Sequence, residues 1–406
     1  MVTNIILFDD DNWKNILPLT YTRPICEIRV GILTIKEKWE HHLKAKASYI
    51  TQDYLAEKYP INIAEQNIII NSTALPTPKL LKLIKNLQTN EAILSGDELI
   101  AARLNSKQFE NLIEEKGITE LEGVDIADDP DAVNRILAPY DIFTKNDVEL
   151  ENDFRLITKG RKSQEISSTN TAINAENIFL EEGATVECAI LNAKNGPIYV
   201  GKNAEIMEGS MVRGGLAMCE GAVLKLGSKI YGATTIGPHS KVGGEVNNSV
   251  LIGYSNKGHD GFLGNSVLGE WCNIGADSNT SNLKNNYDEV KLWSYVDKRF
   301  AKTGLQFCGL IMGDHSKCGI NTMFNTGTVV GVNANIYGSG FPRNFIPSFS
   351  WGGASGFKTY LLKKSLQTAE IVMARRSIEL TDLDSMILEH VFLKTAEFRA
   401  WEKVNN

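Results

Sequence analysis

Long hydrophobic runs are missing from this sequence. No apolar stretch approaches the roughly 18 residues that cross a bilayer as a helix, so no membrane partner is expected. The opening residues, Met1 to Asp11, lack the basic start and small-residue cleavage site of a secretion signal, and a cytoplasmic location is expected. An excess of positive charge is missing as well. With 42 Lys and Arg against 49 Asp and Glu, the formal net charge is −7. That balance argues against a nucleic-acid polymer as partner but leaves a local basic patch free to hold a nucleotide or cofactor phosphate. Six cysteines occur, Cys26, Cys188, Cys219, Cys272, Cys308 and Cys318, and no two have the spacing of a metal-binding pair. They read as buried, reduced thiols serving as small apolar fillers.

What is present is an ordinary globular composition, 43% hydrophobic and 22% charged, with 34 glycines in 406 residues, enough chain for two or three domains. One stretch has an unusual period. Val200, Ile206, Val212, Met218, Leu224, Ile230, Ile236 and Val242 stand six residues apart without a break. Neither an α-helix nor an ordinary strand repeats in this way. A left-handed parallel β-helix does, because each side of its triangular coil takes six residues and turns one aliphatic side chain inward. Upstream, Ile178, Ala184 and Ile190 hold the same step. Downstream it slips after Val242, returns at Phe262, Leu268 and Ile274, breaks for an insertion from Asp277 to Phe307, and resumes through Met312, Cys318, Phe324, Val330 and Ile336. From Val200 onward this makes somewhat more than five coils. A β-sandwich would need period-two alternation and more frequent turn signals. From Lys358 to Lys403 the apolar spacing becomes helical, as expected of a cap over the open end of a solenoid.

The first part of the chain reads differently. Short apolar runs at Asn4 to Asp9, Ser48 to Thr51, Asn67 to Asn71 and Ala92 to Leu94 alternate with helical stretches such as Lys79 to Leu87 and Ser106 to Glu115. Such alternation implies a mostly parallel sheet with ligands at the carboxyl ends of its strands, here the loops after Phe8 and Ile70. Asp9, Asp10 and Asp11 are open to two readings, Mg²⁺ ligands or a solvated acidic turn before Trp13. Arg23, Arg29, Lys36 and Lys38 are either phosphate contacts or, for the last three, the solvated face of a helix starting near Val30. Composition shifts toward Lys, Arg, Ser and Thr between Lys159 and Thr171, a boundary that divides the chain into 1–160, 161–356 and 357–406.

The loop after the first strand carries Pro18-Leu-Thr20, Thr22-Arg-Pro24 and Val30-Gly31. In these residues the first 160 positions resemble the sugar-1-phosphate nucleotidyltransferases, whose opening strand leads through G-x-G-T-R to P-L-T, T-R-P-K and V-G-G-K-P. The resemblance implies a Rossmann-like α/β nucleotidyltransferase domain that binds an NTP, UTP or dTTP, and a sugar phosphate, with Asp9 and Asp10 as metal ligands for Mg²⁺ and Thr22, Arg23 and Asn71 against substrate. The pattern departs at its chemistry. Phe8-Asp-Asp-Asp-Asn-Trp13 replaces the glycine loop, Ile25 replaces the Lys, and Thr73 stands where the family has its metal-binding Asp.

The two interruptions of the hexad resemble the acetyltransferase half of the bifunctional bacterial enzymes that make UDP-N-acetylglucosamine, with their K-A-G-H-x-x-Y-L-G-D, N-I-G-A-G and T-x-x-N-Y-D-G. Here the segments are Lys257-Gly-His-Asp-Gly-Phe-Leu-Gly264, Asn273-Ile-Gly-Ala276 and Thr280-Ser-Asn-Leu283. The resemblance makes His259 the catalytic base, with Asn273 and Asn282 beside it. It puts Phe262 and Leu283 where the family has Tyr, and leaves Tyr287, Lys257 and Lys291 as substrate contacts. It also implies acetyl-CoA as acyl donor, a sugar phosphate or sugar nucleotide as acceptor, and a homotrimer with sites between solenoids. Independently of family, a His on a glycine-flanked loop suits proton removal from an amine attacking a thioester, since imidazole as a class titrates near neutrality. The competing expectation is a non-catalytic sugar-nucleotide sensor or assembly scaffold.

Overall fold

Short β-branched runs closed by Asp, Asn and Thr form the strands that begin the chain. The computed structural model describes residues 4–113, 121–129 and 131–402, so Met1–Thr3, the end of the helix expected through Glu115, Pro130 and Lys403 lie outside the described residues. Two compact units are present: the first comprises 1–16, 23–28 and 33–137, the second 17–22, 29–32 and 138–406.

In the first unit β1 (Ile5–Phe8), β2 (Ala47–Ile50), β3 (Gln66–Asn71), β4 (Glu91–Ser95), β5 (Glu98–Asn105) and β6 (Glu122–Asp125) make one sheet in the order β2-β1-β3-β5-β4-β6. The pairs β1/β2 and β1/β3 are parallel, but β5 runs antiparallel to both β3 and β4. The sheet is therefore mixed rather than mostly parallel, because β4 and β5 form a hairpin turned at Gly96, whose φ is +59°. Helix α1 (Ile35–Leu43) starts at Thr34, which forms a capping box with Glu37. Helix α2 (Pro78–Asn86) is capped by Thr77 with Pro in its first turn, and α3 spans Ser106–Ile113. The helix expected near Val30 thus begins later. Lys38 is 1% exposed, buried rather than solvated, and Lys36 pairs with Glu27 at 2.8 Å.

The second unit is a parallel β-solenoid. One face is a sheet of nine strands, from Ile178–Leu180 to Phe345–Ile346. A second has ten, nine from Thr185–Val186 to Ser350–Gly353 and an antiparallel tenth at Gly356–Thr359. The third has six, from Thr171–Ile173 to Phe262–Gly264, and continues as Asn279–Thr280 beside Met323–Phe324. All eight aliphatics from Val200 to Val242 are buried in a single core. More coils are present than the six-residue step counted, because the terminal ones depart from it. Upstream, Ile178 and Ala184 lie in the core as expected, together with Leu180, Val186 and Leu191, while Ile190 is 45% exposed. Downstream, Val246, Leu251 and Leu263 line the core, and Phe262 faces outward beside Glu245.

The slip after Val242 has a simple cause. Leu224 and Val242 are register partners 18 residues apart, but Val242 and Lys257 are partners only 15 apart. The coil tightens, and its inward position is a lysine.

At one corner of the coils the turn residue has positive φ, and His239, Tyr254, Trp271 and His315 occupy it in succession. Their rings stack, with centroids 5.2, 4.4 and 6.3 Å apart, as side chains repeating at the spacing of paired strands can do. His239 and His315 are thereby placed in an aromatic ladder. Five cysteines are buried, as expected, and burial pushes the thiols of Cys272 and Cys308 up to about 12. Cys188 is the exception: it sits at a turn with φ +51° and is exposed. Helices α4 (Asn146–Thr158), α5 (Leu362–Ala374) and α6 (Asp382–Lys394) complete the unit, α6 with a capping box between Thr381 and Asp384.

Candidate functional site

The carboxyl ends of β1 and β3 bring Asp9, Asp10 and Asn71 together in the first unit. Asp10 accepts from the Asn12 backbone N–H at 3.0 Å, from Asn71 Nδ2 at 2.8 Å and from Arg135 Nη2 at 3.1 Å. Arg135 also donates through Nε to Thr73 Oγ1 at 2.8 Å and pairs with Glu98. Asn71 completes the lattice by accepting from Thr73 N and Oγ1. Asp9 accepts from the Ile25 backbone N–H at 3.1 Å and Thr51 Oγ1 at 2.8 Å, and burial pushes its carboxyl up to about 6.

A divalent cation fits these residues poorly. The oxygens of Asp10 already face N–H donors, one of them a guanidinium, and those of Asp9 accept from the Ile25 N–H and Thr51 Oγ1. Among the described residues no group of three or more His, Cys, Asp or Glu could hold a metal. Arg135, which no motif marks, brings a positive charge to this site. It arrives on the two-residue strand Asn134–Arg135 paired to Ala74–Leu75, a contact with no local sequence signal.

The rest of the signature loop is buried as structure. Arg23 is 4% exposed. Thr22 Oγ1 donates to Asp314 at 2.7 Å, and Thr235 Oγ1 donates to the Gly31 carbonyl at 2.8 Å. Gly31 N–H and Ile32 N–H donate to Asn146 Oδ1 and Asp153 Oδ2. Gly31 has φ +80°, and a Cβ there would lie 2.6 Å from Asp153, so this glycine is required by close backbone approach.

In the solenoid, His259 is exposed and Lys257 is not. Lys257 occupies the inward position between coils, 1% exposed, and its Nζ donates to the carbonyls of Gly243 and of His259 itself, both at 2.7 Å. Burial lowers this ammonium to about 8. The loop carrying His259 is further fixed by Gly261, φ +113°, where a Cβ would lie 2.1 Å from the Ser278 carbonyl. Asn273 stands on the second face, paired in register with Asn256 and Lys317. Asn282 donates to Asn265 Oδ1 at 2.8 Å, close to Phe262 and Gly264. Among the described residues no hydrogen bond joins His259 to Asn273 or Asn282. Tyr287 is 65% exposed, and Lys291 lines a cleft formed by the insertion.

Residues 5–162 match the family model for sugar nucleotidyl transferases. Two relatives are named as bifunctional proteins. The bifunctional sugar-1-phosphate nucleotidylyltransferase/acetyltransferase of Sulfurisphaera tokodaii is 27% identical over 144 residues, 35% of this chain and 35% of its own. The bifunctional protein GlmU of Methanocaldococcus jannaschii is 35% identical over 92 residues, 23% of this chain and 22% of its own. The chain therefore spans between about a fifth and about a third of the length of these relatives. Its relation to the sugar nucleotidyl transferases runs through a region where Asp9, Asp10, Asn71 and Thr73 are tied to one another and to Arg135.

Proposed function

We propose that this chain is a transferase of sugar-nucleotide metabolism, acting by acyl transfer from acetyl-CoA to the amino group of a sugar phosphate or sugar nucleotide. The observation that carries this reading is the His259 corner: an exposed imidazole on a glycine-bounded loop whose own carbonyl is held by a buried lysine. The acceptor amine attacks the thioester carbonyl carbon, a C–N bond forms and the C–S bond breaks. His259 takes the amine proton and returns it to the departing thiolate. Holding the backbone of the base in place reduces the reorganisation needed as the barrier is crossed.

Asn273 stands on a strand of the second face and Asn282 beside Asn265, and a homotrimer with sites between neighbouring copies is part of this reading. Assaying the purified protein with acetyl-CoA and amino sugar phosphates tests the reading. Turnover that survives undiminished in His259→Ala would sink it.

A second reading is favoured for the first unit: it binds a sugar nucleotide without transferring a nucleotidyl group. The guanidinium of Arg135 lies between Asp10 and Glu98, and Thr73 replaces a carboxylate, so the groups that would present a metal to a triphosphate are engaged elsewhere. Nucleotidyl transfer from UTP or dTTP to a sugar 1-phosphate in the presence of Mg²⁺ would overturn it.

A further inference from the structure

The insertion that interrupts the hexad builds a cleft of about 760 Å³. Its strands Lys291–Ser294 and Arg299–Lys302 form a hairpin in which Trp293 pairs with Phe300. Alternation along a strand puts Lys291 and Trp293 on one side and leaves buried Leu292 on the other. Both line the cleft, together with Phe300, Lys284, Arg343 and Phe345.

Two properties of this wall point to a ligand. The indole of Trp293 stacks on Phe345, centroids 4.1 Å apart and planes 9° from parallel, an aromatic wall of the kind a planar ring packs against. Three cations also face the same space with no carboxylate among the lining residues. Lys284 donates to the Glu289 carbonyl, and neither Lys291 nor Arg343 has an acidic partner among the described residues. The cleft volume is that of a nucleotide-sized ligand.

We infer that this cleft binds a nucleoside diphosphate, with the ring against the Trp293 and Phe345 wall and the phosphates toward Lys291 and Arg343. That group has two sources, a sugar nucleotide or the 3′-phosphorylated adenosine diphosphate half of CoA. The inference stands on the cleft and does not require His259 to act as a base.

The test titrates the full chain with UDP, ADP and 3′-phosphoadenosine 5′-diphosphate, read by calorimetry and by tryptophan fluorescence. Binding of at least one is expected at micromolar to low-millimolar concentration, weakened by salt. Preference for UDP assigns the cleft to a sugar nucleotide, and preference for the adenosine compound assigns it to CoA. The doubly charge-reversed variant Lys291→Glu/Arg343→Glu should weaken binding about tenfold or more, since hydrogen bonds to charged groups are the stronger ones. Trp293→Ala removes one ring of the wall and should weaken binding less. His259→Ala should bind as the parent does, which separates this inference from acyl transfer. Undiminished affinity in the charge-reversed variant, or no binding of any of the three compounds up to millimolar concentration, would overturn it.

Discussion

The strand ends of the first unit and the His259 corner of the solenoid hold similar groups in opposite conditions. Asp9, Asp10, Asn71, Thr73 and Arg135 are each engaged by neighbours within the unit. His259 is exposed, and the bonding there is done by Lys257 through a backbone carbonyl. A polar cluster that satisfies itself contributes to folding and has few free lone pairs or protons for a substrate. A polar group held by its backbone keeps its side chain available. On the proposed reading, the difference predicts that substitutions in the first region cost stability and those at the second cost activity.

The largest effects should come from substitutions that divide along this line. His259→Ala is expected to lower acetyl transfer by about 10²–10⁴-fold, the usual contribution of a general base. It should leave thermal stability nearly unchanged, because the side chain is exposed. Arg135→Met should do the reverse. It leaves Asp10 without its cation and is expected to destabilise the first unit by about 3 kcal/mol or less, the low end of the cost of breaking a buried pair by removing one partner. Denaturant unfolding and acetyl-transfer rates on the same two proteins check both expectations. Equal loss of rate in the two variants would remove the distinction.

Part of this division is legible in the sequence and part is not. The solenoid is legible because its period is local: Val200 to Val242 repeat at six residues, and each is buried. The signature loop is legible as a resemblance, but its role depends on pairings that short-range spacing does not carry. Thr22 meets Asp314, and Arg135 meets Asp10 across 125 residues. Lys257 illustrates the same limit. As a charged residue it reads as a substrate contact, yet the shortened coil places it in the core, where two carbonyls replace its water. Ile190 and Phe262 read as core and face outward because the turns before them are not of hexad length.

Acidity offers a smaller effect on the first region. Burial raises the Asp9 carboxyl to about 6 from an ordinary value of 3.8, so the folded state binds its proton more tightly than the unfolded chain. The stabilising contribution of that group is fully present below pH about 4 and is lost as pH rises through about 6. Asp9→Asn retains a side-chain oxygen for the Ile25 N–H and cannot ionise. Its stability should therefore fall less than the parent's between pH 4 and 6.5, by about 2 kcal/mol or less, as measured by denaturant midpoints across that range. Parallel pH profiles for the two proteins would show that Asp9 is not held against ionisation.

The smallest effect belongs to the exposed side of the comparison. Tyr287 is 65% exposed, with φ +60°, a conformation that asparagine adopts more readily than an aromatic residue. Tyr287→Asn should therefore change stability by no more than about 0.5 kcal/mol. If the ring contacts the acceptor equally in the ground and transition states, KM should rise about threefold with kcat unchanged. Steady-state kinetics in acceptor and in acetyl-CoA distinguish this from a loop effect, which would move both parameters. An unchanged KM for the acceptor would remove Tyr287 from the binding surface and confine the solenoid's chemistry to the His259 corner and the cleft.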